Sequence, residues 1–346
     1  MRSFATLFLI TLLFTYCRGQ SKQGAASVYL TNYIIPKEKE AIGFIRVADA
    51  QIKGITLAGE NAKAFTISKD HLLSVKRKNL KPGNDWFDAV VNIKTKQGEL
   101  TDTLRVLKDQ FIPNKVIAHR GAWKNTGATE NSIAALNHAV RLGCGGSEFD
   151  VHMSSDSLPV IHHDPSIDGI SIAKTASAIL LTMKLSNGEY LPTLESYLKE
   201  GMKQSKTKLI LEIKPSELGK QSSIALTSKV LAVVNKLRAQ AWVDYISFDY
   251  DICKEAMRFA PYARVAYLKG DKTPDELAAD HFSGLDYHFS VFDKNPDWIS
   301  LAHQKKLTIN VWTVNEKELM EKLLKQKVDF ITTNEPELLL SIPESR

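Results

Sequence analysis

The chain has 346 residues, 44% hydrophobic and 24% charged, which excludes disordered and fibrous classes and leaves room for two domains with a sizeable core. Its 45 basic and 39 acidic residues give a formal charge of +6, spread without a basic arm or Arg cluster, so the electrostatic footprint of a nucleic-acid binder is missing. A mildly basic surface suits an anionic small molecule instead.

The first stretch, MRSFATLFLITLLFTYCRGQ at 1–20, has one Arg, an apolar core from Phe4 to Tyr16 and then small and polar residues, the layout of a secretory signal peptide. It is too short for a stable membrane span. The mature chain is therefore expected to carry no transmembrane helix and to be exported, periplasmic or on the cell surface. Cys17 is a candidate lipid-attachment cysteine, but bulky Tyr16 stands where such sites use a small residue, which favours plain cleavage near Gly19 or Gln20. Beyond the signal, Cys144 and Cys253 remain. Without a C-x-x-C spacing they read as two buried thiols rather than a bridge, metal pair or redox pair. The sequence does not set an oligomeric state.

Residues 21–110 hold short, alternating segments: SVYLTNYII, AIGFIRVADA, GITLAGE, AFTISKD, LLSVKRK, DWFDAVVNIKTK and LTDTLRVLKD. Turn signals such as Lys81-Pro82-Gly83-Asn84 separate them, which predicts a small all-β sandwich. The order GFIRVADAQIKGITLAGENAKAFTISKDHLLSVK resembles a cadherin-like sandwich repeat. Members of that family that bind calcium use acidic clusters at the ends of the sandwich; here Asp49, Asp70, Asp102 and Asp109 stand alone. The resemblance implies an accessory packing or adhesion module without metal.

FIPNK at 111–115 is a Pro-containing linker, and from 111 to 346 the texture becomes α/β. Candidate strands are KVIAH (115–119), SEFDV (147–151), KLILEI (208–213), YISF (245–248), RVAYL (264–268), LDYHF (285–289), LTINVW (307–312) and DFITT (329–333). Helical patterns fall between them at 132–142, 194–204, 224–239, 251–259, 274–280, 296–305 and 316–325. Eight β/α alternations predict a closed (β/α)8 TIM barrel rather than an open doubly wound sheet, for which no Gly-rich nucleotide loop is present.

In such a barrel the active site lies at the C-terminal ends of the strands. Strand one ends in His119-Arg120. Strand two carries Glu148 and Asp150, and strand three Glu212 and Lys214, each pair two residues apart and so on one face. Three carboxylates at one rim repel unless a cation sits among them, and an all-oxygen set suits Mg2+ or Ca2+ rather than zinc. PVIHHD at 159–164 reads as a short return strand; neighbours on a strand face opposite ways, so only one of His162 and His163 looks into the site, and His163 is favoured. Glu130 reads as a brace for Arg120. Asn131, Asn315 and Asn334 read as helix caps.

HRG (119–121), ENS (130–132), EFD (148–150), PVIHHD, LPTLESYL (191–198), LILEIK (209–214), NVWTVN (310–315) and ITTNEP (331–336) together resemble the successive signatures of the glycerophosphodiester phosphodiesterase family, over about residues 115–340. The resemblance implies that His119 and His163 are an acid/base pair and that Glu148, Asp150 and Glu212 hold a divalent metal. It implies further that Arg120 and Lys214 hold phosphate oxygens, that Trp312 borders the alcohol group, and that the substrate is a small glycerophosphodiester. Ser132 stands where the family has Thr, and the stretch from Ile167 to Leu185 follows the family poorly. Whether water or the substrate's own glycerol hydroxyl attacks is left open. A phospholipase C-like enzyme acting on intact lipids would use the same barrel but expose apolar loops beside the site, and none is obvious in the sequence. A catalytically silent adhesion or glycan-binding protein is disfavoured because every member of the apparatus is present.

Overall fold

The computed structural model describes residues 27–345; the expected signal peptide and Cys17 lie outside them. No described helix is long and apolar enough to cross a membrane.

The N-terminal region is mostly strand. One four-stranded sheet orders Val28–Leu30, Ala41–Val47, Leu72–Val75 and Phe65–Ile67, and a second orders Ile34–Ile35, Glu99–Lys108, Trp86–Thr95 and Ile52–Ala58. Each of the seven predicted segments holds a strand. SVYLTNYII holds two, divided where the Asn32 amide donates to the carbonyls of Ile34 (2.8 Å) and Ile42 (2.9 Å). Alternation sets what is buried: along Trp86–Thr95, Phe87, Ala89, Val91 and Ile93 point inward, as the two-residue period of a strand requires. The region is tied to the rest of the chain through Ser205, whose hydroxyl donates to Asp85 (2.9 Å) and Gln110 (3.1 Å), and through Tyr33, edge-on to Tyr262 at 5.0 Å.

Beyond the linker, eight parallel strands form a closed ring: Val116–Ala118, Gly146–Met153, Lys208–Ile213, Val243–Ser247, Val265–Tyr267, Gly284–His288, Thr308–Trp312 and Phe330–Thr333. The first strand pairs with both the second and the last, Ile117 opposite Gly146 and Ala118 opposite Thr333, which closes the barrel. All eight predicted strands are present. LDYHF stops one residue early because the His288 side chain accepts from Ser290 N and starts the helix Phe289–Lys294. Helices fall in all seven predicted places. Ser177–Leu180, Phe289–Lys294 and Pro336–Ser341 were not predicted; four to six residues are too few to display a 3.6-residue period.

Between strands two and three the chain makes an excursion that begins with the return strand Pro159–Ile161, antiparallel to strand two. The excursion has its own small core of Val160, Ile167, Ile172, Leu180, Leu185 and Leu191. The Glu189 carboxylate accepts from the backbone N–H of Ile133 (3.0 Å) and Ala134 (3.2 Å), so it caps the helix that follows strand one, where a negative charge meets the positive end of the helix dipole. Ile170 and Ile179 of this excursion, with Leu218 after strand three, are 39%, 54% and 52% exposed. These are isolated exposed side chains rather than an apolar loop: Ile170 stands between Gly169 and Ser171, Leu218 between Glu217 and Gly219, and Ile179 beside the buried Leu180. Cys144 and Cys253 are buried free thiols, as expected.

Candidate active site

Strand one ends at Ala118, and His119-Arg120-Gly121 turns sharply off it. Gly121 has φ +79, and a Cβ there would lie 2.7 Å from the backbone of Ala135, so only glycine allows the loop to pack on the following helix. Arg120 also adopts positive φ, at +57. Its backbone N–H donates to Glu148 Oε2 (2.8 Å) and its guanidinium to both oxygens of Glu130 (2.9 and 3.0 Å), partners that offset the strain of that conformation. Glu130 is thus the brace expected from the sequence.

The half-buried His119 ring is held at Nδ1 by the Asn334 side-chain oxygen, 2.7 Å away. An amide oxygen only accepts, so Nδ1 carries the proton and Nε2 keeps its lone pair. Burial, and then the neighbouring Arg120 charge, pull the imidazole down to about 4, so it is a neutral base near neutral pH. His163 follows the return strand and lines the same pocket. Its Nδ1 donates to the Asp164 carboxylate at 2.7 Å, again leaving Nε2 free, and burial is the largest influence lowering it. His162 turns away, with its ring on the Asp164 carbonyl (3.0 Å).

On the interior face, Glu148 and Asp150 stand beside Glu212, which is in register with Asp150 on strand three. One oxygen from each lies within 4.8 Å of the others, and all three side chains are buried. Burial, then the Asp150 charge, push Glu148 up and raise Glu212 to about 8. Burial pushes Asp150 up too, but Lys214, His163 and Asn131 outweigh it and bring it to about 2. Lys214 Nζ sits 2.9 Å from Asp150 and 2.8 Å from Glu212; these two neighbours hold its proton against the opposing effect of burial. Glu148 Oε1 is buried with no hydrogen-bond partner. One ammonium and a braced guanidinium leave that oxygen unsatisfied, and an all-oxygen donor set around it fits a hard divalent cation.

Trp312 forms the opposite, apolar side. It is edge-on to Phe248 (5.4 Å) and His288 (5.3 Å), its Nε1 donates to the Asp286 carbonyl (2.8 Å), and Ile246 and Leu268 complete the wall. The cavity between the two sides is about 120 Å³. Seven of the eight residues singled out in the sequence line it, and the eighth, Asp150, lies behind it against Lys214 and Arg120.

The three asparagines are corrected. Asn131 is no cap; Ser132 caps the helix by accepting from Ala135 N. Asn131 instead embraces Asp150, donating to Oδ2 (2.9 Å) and accepting from its backbone N–H (3.1 Å). Asn334 serves His119, and Asn315 accepts from Asn334 N at 2.9 Å and so holds that loop. Asp286 was not singled out at all: it is buried beneath the pocket, takes one hydrogen bond from Asn310 (2.9 Å), and burial raises it to about 7.

Paired imidazoles with free Nε2 atoms, cations for phosphate oxygens and a carboxylate triad answer one chemical problem, cleavage of an anionic ester whose alcohol must leave with a proton. They place the protein among phosphoric diester hydrolases. Residues 119–338 match the glycerophosphoryl diester phosphodiesterase family, and the chain belongs to that family. It is 28% identical over 243 residues to a glycerophosphodiester phosphodiesterase of Caldanaerobacter subterraneus subsp. tengcongensis, covering 66% of this chain and 96% of the relative. Among solved structures it is similar to a glycerophosphodiester phosphodiesterase from Parabacteroides distasonis, 41% identical with a TM-score of 0.65, covering 67% of this chain and 97% of that one. An Oleispira antarctica phosphodiesterase solved in complex with the product sn-glycerol-3-phosphate is 26% identical with a TM-score of 0.56, covering 66% and 95%.

Proposed function

We propose that the protein is an exported, metal-dependent enzyme that hydrolyses glycerophosphodiesters to sn-glycerol 3-phosphate and an alcohol by His/His acid-base catalysis. The observation that carries the reading is that His119 and His163, both fixed at Nδ1 with Nε2 free, line the same pocket as Glu148 and Glu212. The product complex of the Oleispira relative supports the substrate class.

Glu148, Asp150 and Glu212 would hold Mg2+ or Ca2+, which when bound supplies positive charge against the non-bridging phosphate oxygens. Arg120 presents a planar fork and Lys214 a point charge to the remaining oxygens, neutralising charge that grows in the transition state. One neutral imidazole Nε2 takes the proton of the attacking hydroxyl, and the other, entering the reaction as the imidazolium with a second proton on Nε2, gives that proton to the departing alcohol oxygen. If the attacker is the substrate's own glycerol hydroxyl, the first product is a cyclic phosphate; if it is water, the ester opens directly. Trp312, with Phe248 and Leu268 beside it, gives the carbon skeleton of the alcohol an apolar surface. The two N-terminal sheets are read as a cadherin-like accessory sandwich, and the first 20 residues as the export signal, with Cys17 a candidate anchor.

The test is hydrolysis of glycerophosphocholine, glycerophosphoethanolamine and glycerophosphoinositol with and without chelator, followed by product identification. Release of sn-glycerol 3-phosphate that stops on chelation supports the reading. Chelator-indifferent turnover removes the metal from it. A second reading, action on substrates that carry a lipid chain, is favoured by the exposed Ile170, Ile179 and Leu218 on the excursion and the loop after strand three; lysophospholipid hydrolysis in the same assay decides it.

A further inference from the structure

The two imidazoles are each held at a second point, on their own main chain. The Trp123 indole N–H donates to the His119 carbonyl at 3.2 Å, and the buried His152 ring, through Nε2, to the His163 carbonyl at 3.0 Å. His152 lies on strand two, two residues beyond Asp150 and therefore on the same face. A carbonyl only accepts, so His152 carries its proton on Nε2.

The two clamps differ in how much else holds the histidine they serve. His119 N donates to Thr333 O (2.9 Å), Arg120 N to Glu148 (2.8 Å), Gly121 N to Glu148 O (3.1 Å) and Asn131 N to Arg120 O (2.9 Å). The first imidazole thus rides on a backbone stitched to two neighbouring strands and a loop. His163 has left the ladder: the return strand ends at Ile161, and the last backbone bond before His163 is His162 N to Asp150 O, 3.1 Å. Its ring partner, Asp164, is itself exposed on the same loop, so that contact orients the ring relative to the loop but does not fix the loop relative to the barrel. The His152 hydrogen bond does.

We propose that His152 is a positioning residue for the reaction, and that its Nε2–H holds the His163 loop over the carboxylate triad. It touches neither substrate nor metal in this reading, which rests on the acid/base role proposed for His163. Displacement of a reacting group by an ångström is enough to cost large factors in rate, so the effect falls on kcat rather than on binding.

The experiment uses glycerophosphocholine and Mg2+ or Ca2+ with His152→Leu, His152→Gln, His152→Asn, Trp123→Phe and His163→Ala. Glutamine places an amide N–H about where the imidazole Nε2 lies, whereas asparagine is one bond too short. His152→Leu is expected to lower kcat about tenfold or more with KM within about threefold, and His152→Gln to recover to within about threefold of wild type. His152→Asn should stay low, and Trp123→Phe should lose at most about threefold because the His119 backbone is otherwise held. Melting temperatures with and without the ion separate misplacement from misfolding. Wild-type kcat in His152→Leu overturns the proposal, as does a folded His152→Gln as slow as His152→Leu. If His163→Ala itself keeps full turnover, the acid/base reading is what has failed; if His163→Ala is inactive while His152→Leu is normal, the positioning role alone falls.

Discussion

The N-terminal sheets and the barrel mouth bury different things. Among the described residues from 27 to 110, Thr95 is the one buried polar side chain, and the charged pair Arg105–Asp88 (2.8 Å) stays partly in contact with water. At the barrel mouth Glu148, Asp150 and Glu212 are buried with oxygens within 4.8 Å of one another, and the buried Lys214 pairs with Asp150 and Glu212. Removing charges from water costs several kcal/mol per ion unless partners compensate, so the sheets are arranged for stability and the mouth for chemistry. The difference shows that buried, unbalanced charge is concentrated at the barrel mouth, and that the sheets are free of it.

The sharpest break would be at His119. His119→Ala is expected to lower kcat by about 10²-fold or more, the scale of a lost acid/base group, while the thermal transition stays near wild type; steady-state kinetics and calorimetry on one preparation check both halves. The next test concerns pH. Glu212, raised from 4.5 to about 8, binds its proton more tightly in the folded chain than in the unfolded one. Its contribution to stability is therefore full below pH 4.5 and lost as pH rises to about 8. His119, lowered from 6.5 to about 4, has the opposite effect: stability rises with pH between 4 and 6.5. Between pH 6.5 and 8 His119 no longer opposes the fall, and urea denaturation in chelator should show stability falling with pH in the wild type, with Glu148 and, up to about 7, Asp286 adding to Glu212. Glu212→Gln should make that fall shallower, and added Mg2+ or Ca2+ should reduce it. A flat wild-type profile would erase the contrast with the sheets.

Smaller effects sharpen the picture. Asn334→Ala removes the acceptor that fixes the His119 tautomer and is expected to lower kcat about tenfold, with little change in KM. Arg105→Met breaks the bidentate pair with Asp88 and the stacking of Arg105 on Trp86 at 3.7 Å. It should lower stability by about 1 kcal/mol, since partly exposed pairs are worth little, and leave turnover unchanged. A turnover loss there would mean that the sheets and the mouth are coupled.

The barrel was legible because its strands are short apolar runs that end in polar residues, and because its longer helices show a 3.6-residue period. The carboxylates were legible for a related reason: Glu148 and Asp150, like Glu212 and Lys214, share a face by strand alternation alone. What sequence logic missed depends on contacts between distant residues. Asn131 and Asn334 precede helices and so looked like caps, yet their partners Asp150 and His119 lie 19 and 215 positions away. Asp286 looked like one polar residue in an apolar strand, and nothing local reveals that it ends up beneath the pocket. The excursion could not be read in detail because its turns are set by side chains such as Asp156, which ties Ser154 (2.6 Å) to Ser177 (2.9 Å).

The seam between the first and last strands has a consequence for biosynthesis. His119 depends on Thr333 for its backbone partner and on Asn334 for its ring partner, so the histidine made early waits for residues translated more than two hundred codons later. Because chains emerge from the N-terminus onward, a ribosome paused before the final strand carries nearly every residue of the proposed site and still lacks the partners that orient His119. In the proposed mechanism, orientation of that histidine thus waits on the strand Phe330–Thr333 and the residue after it.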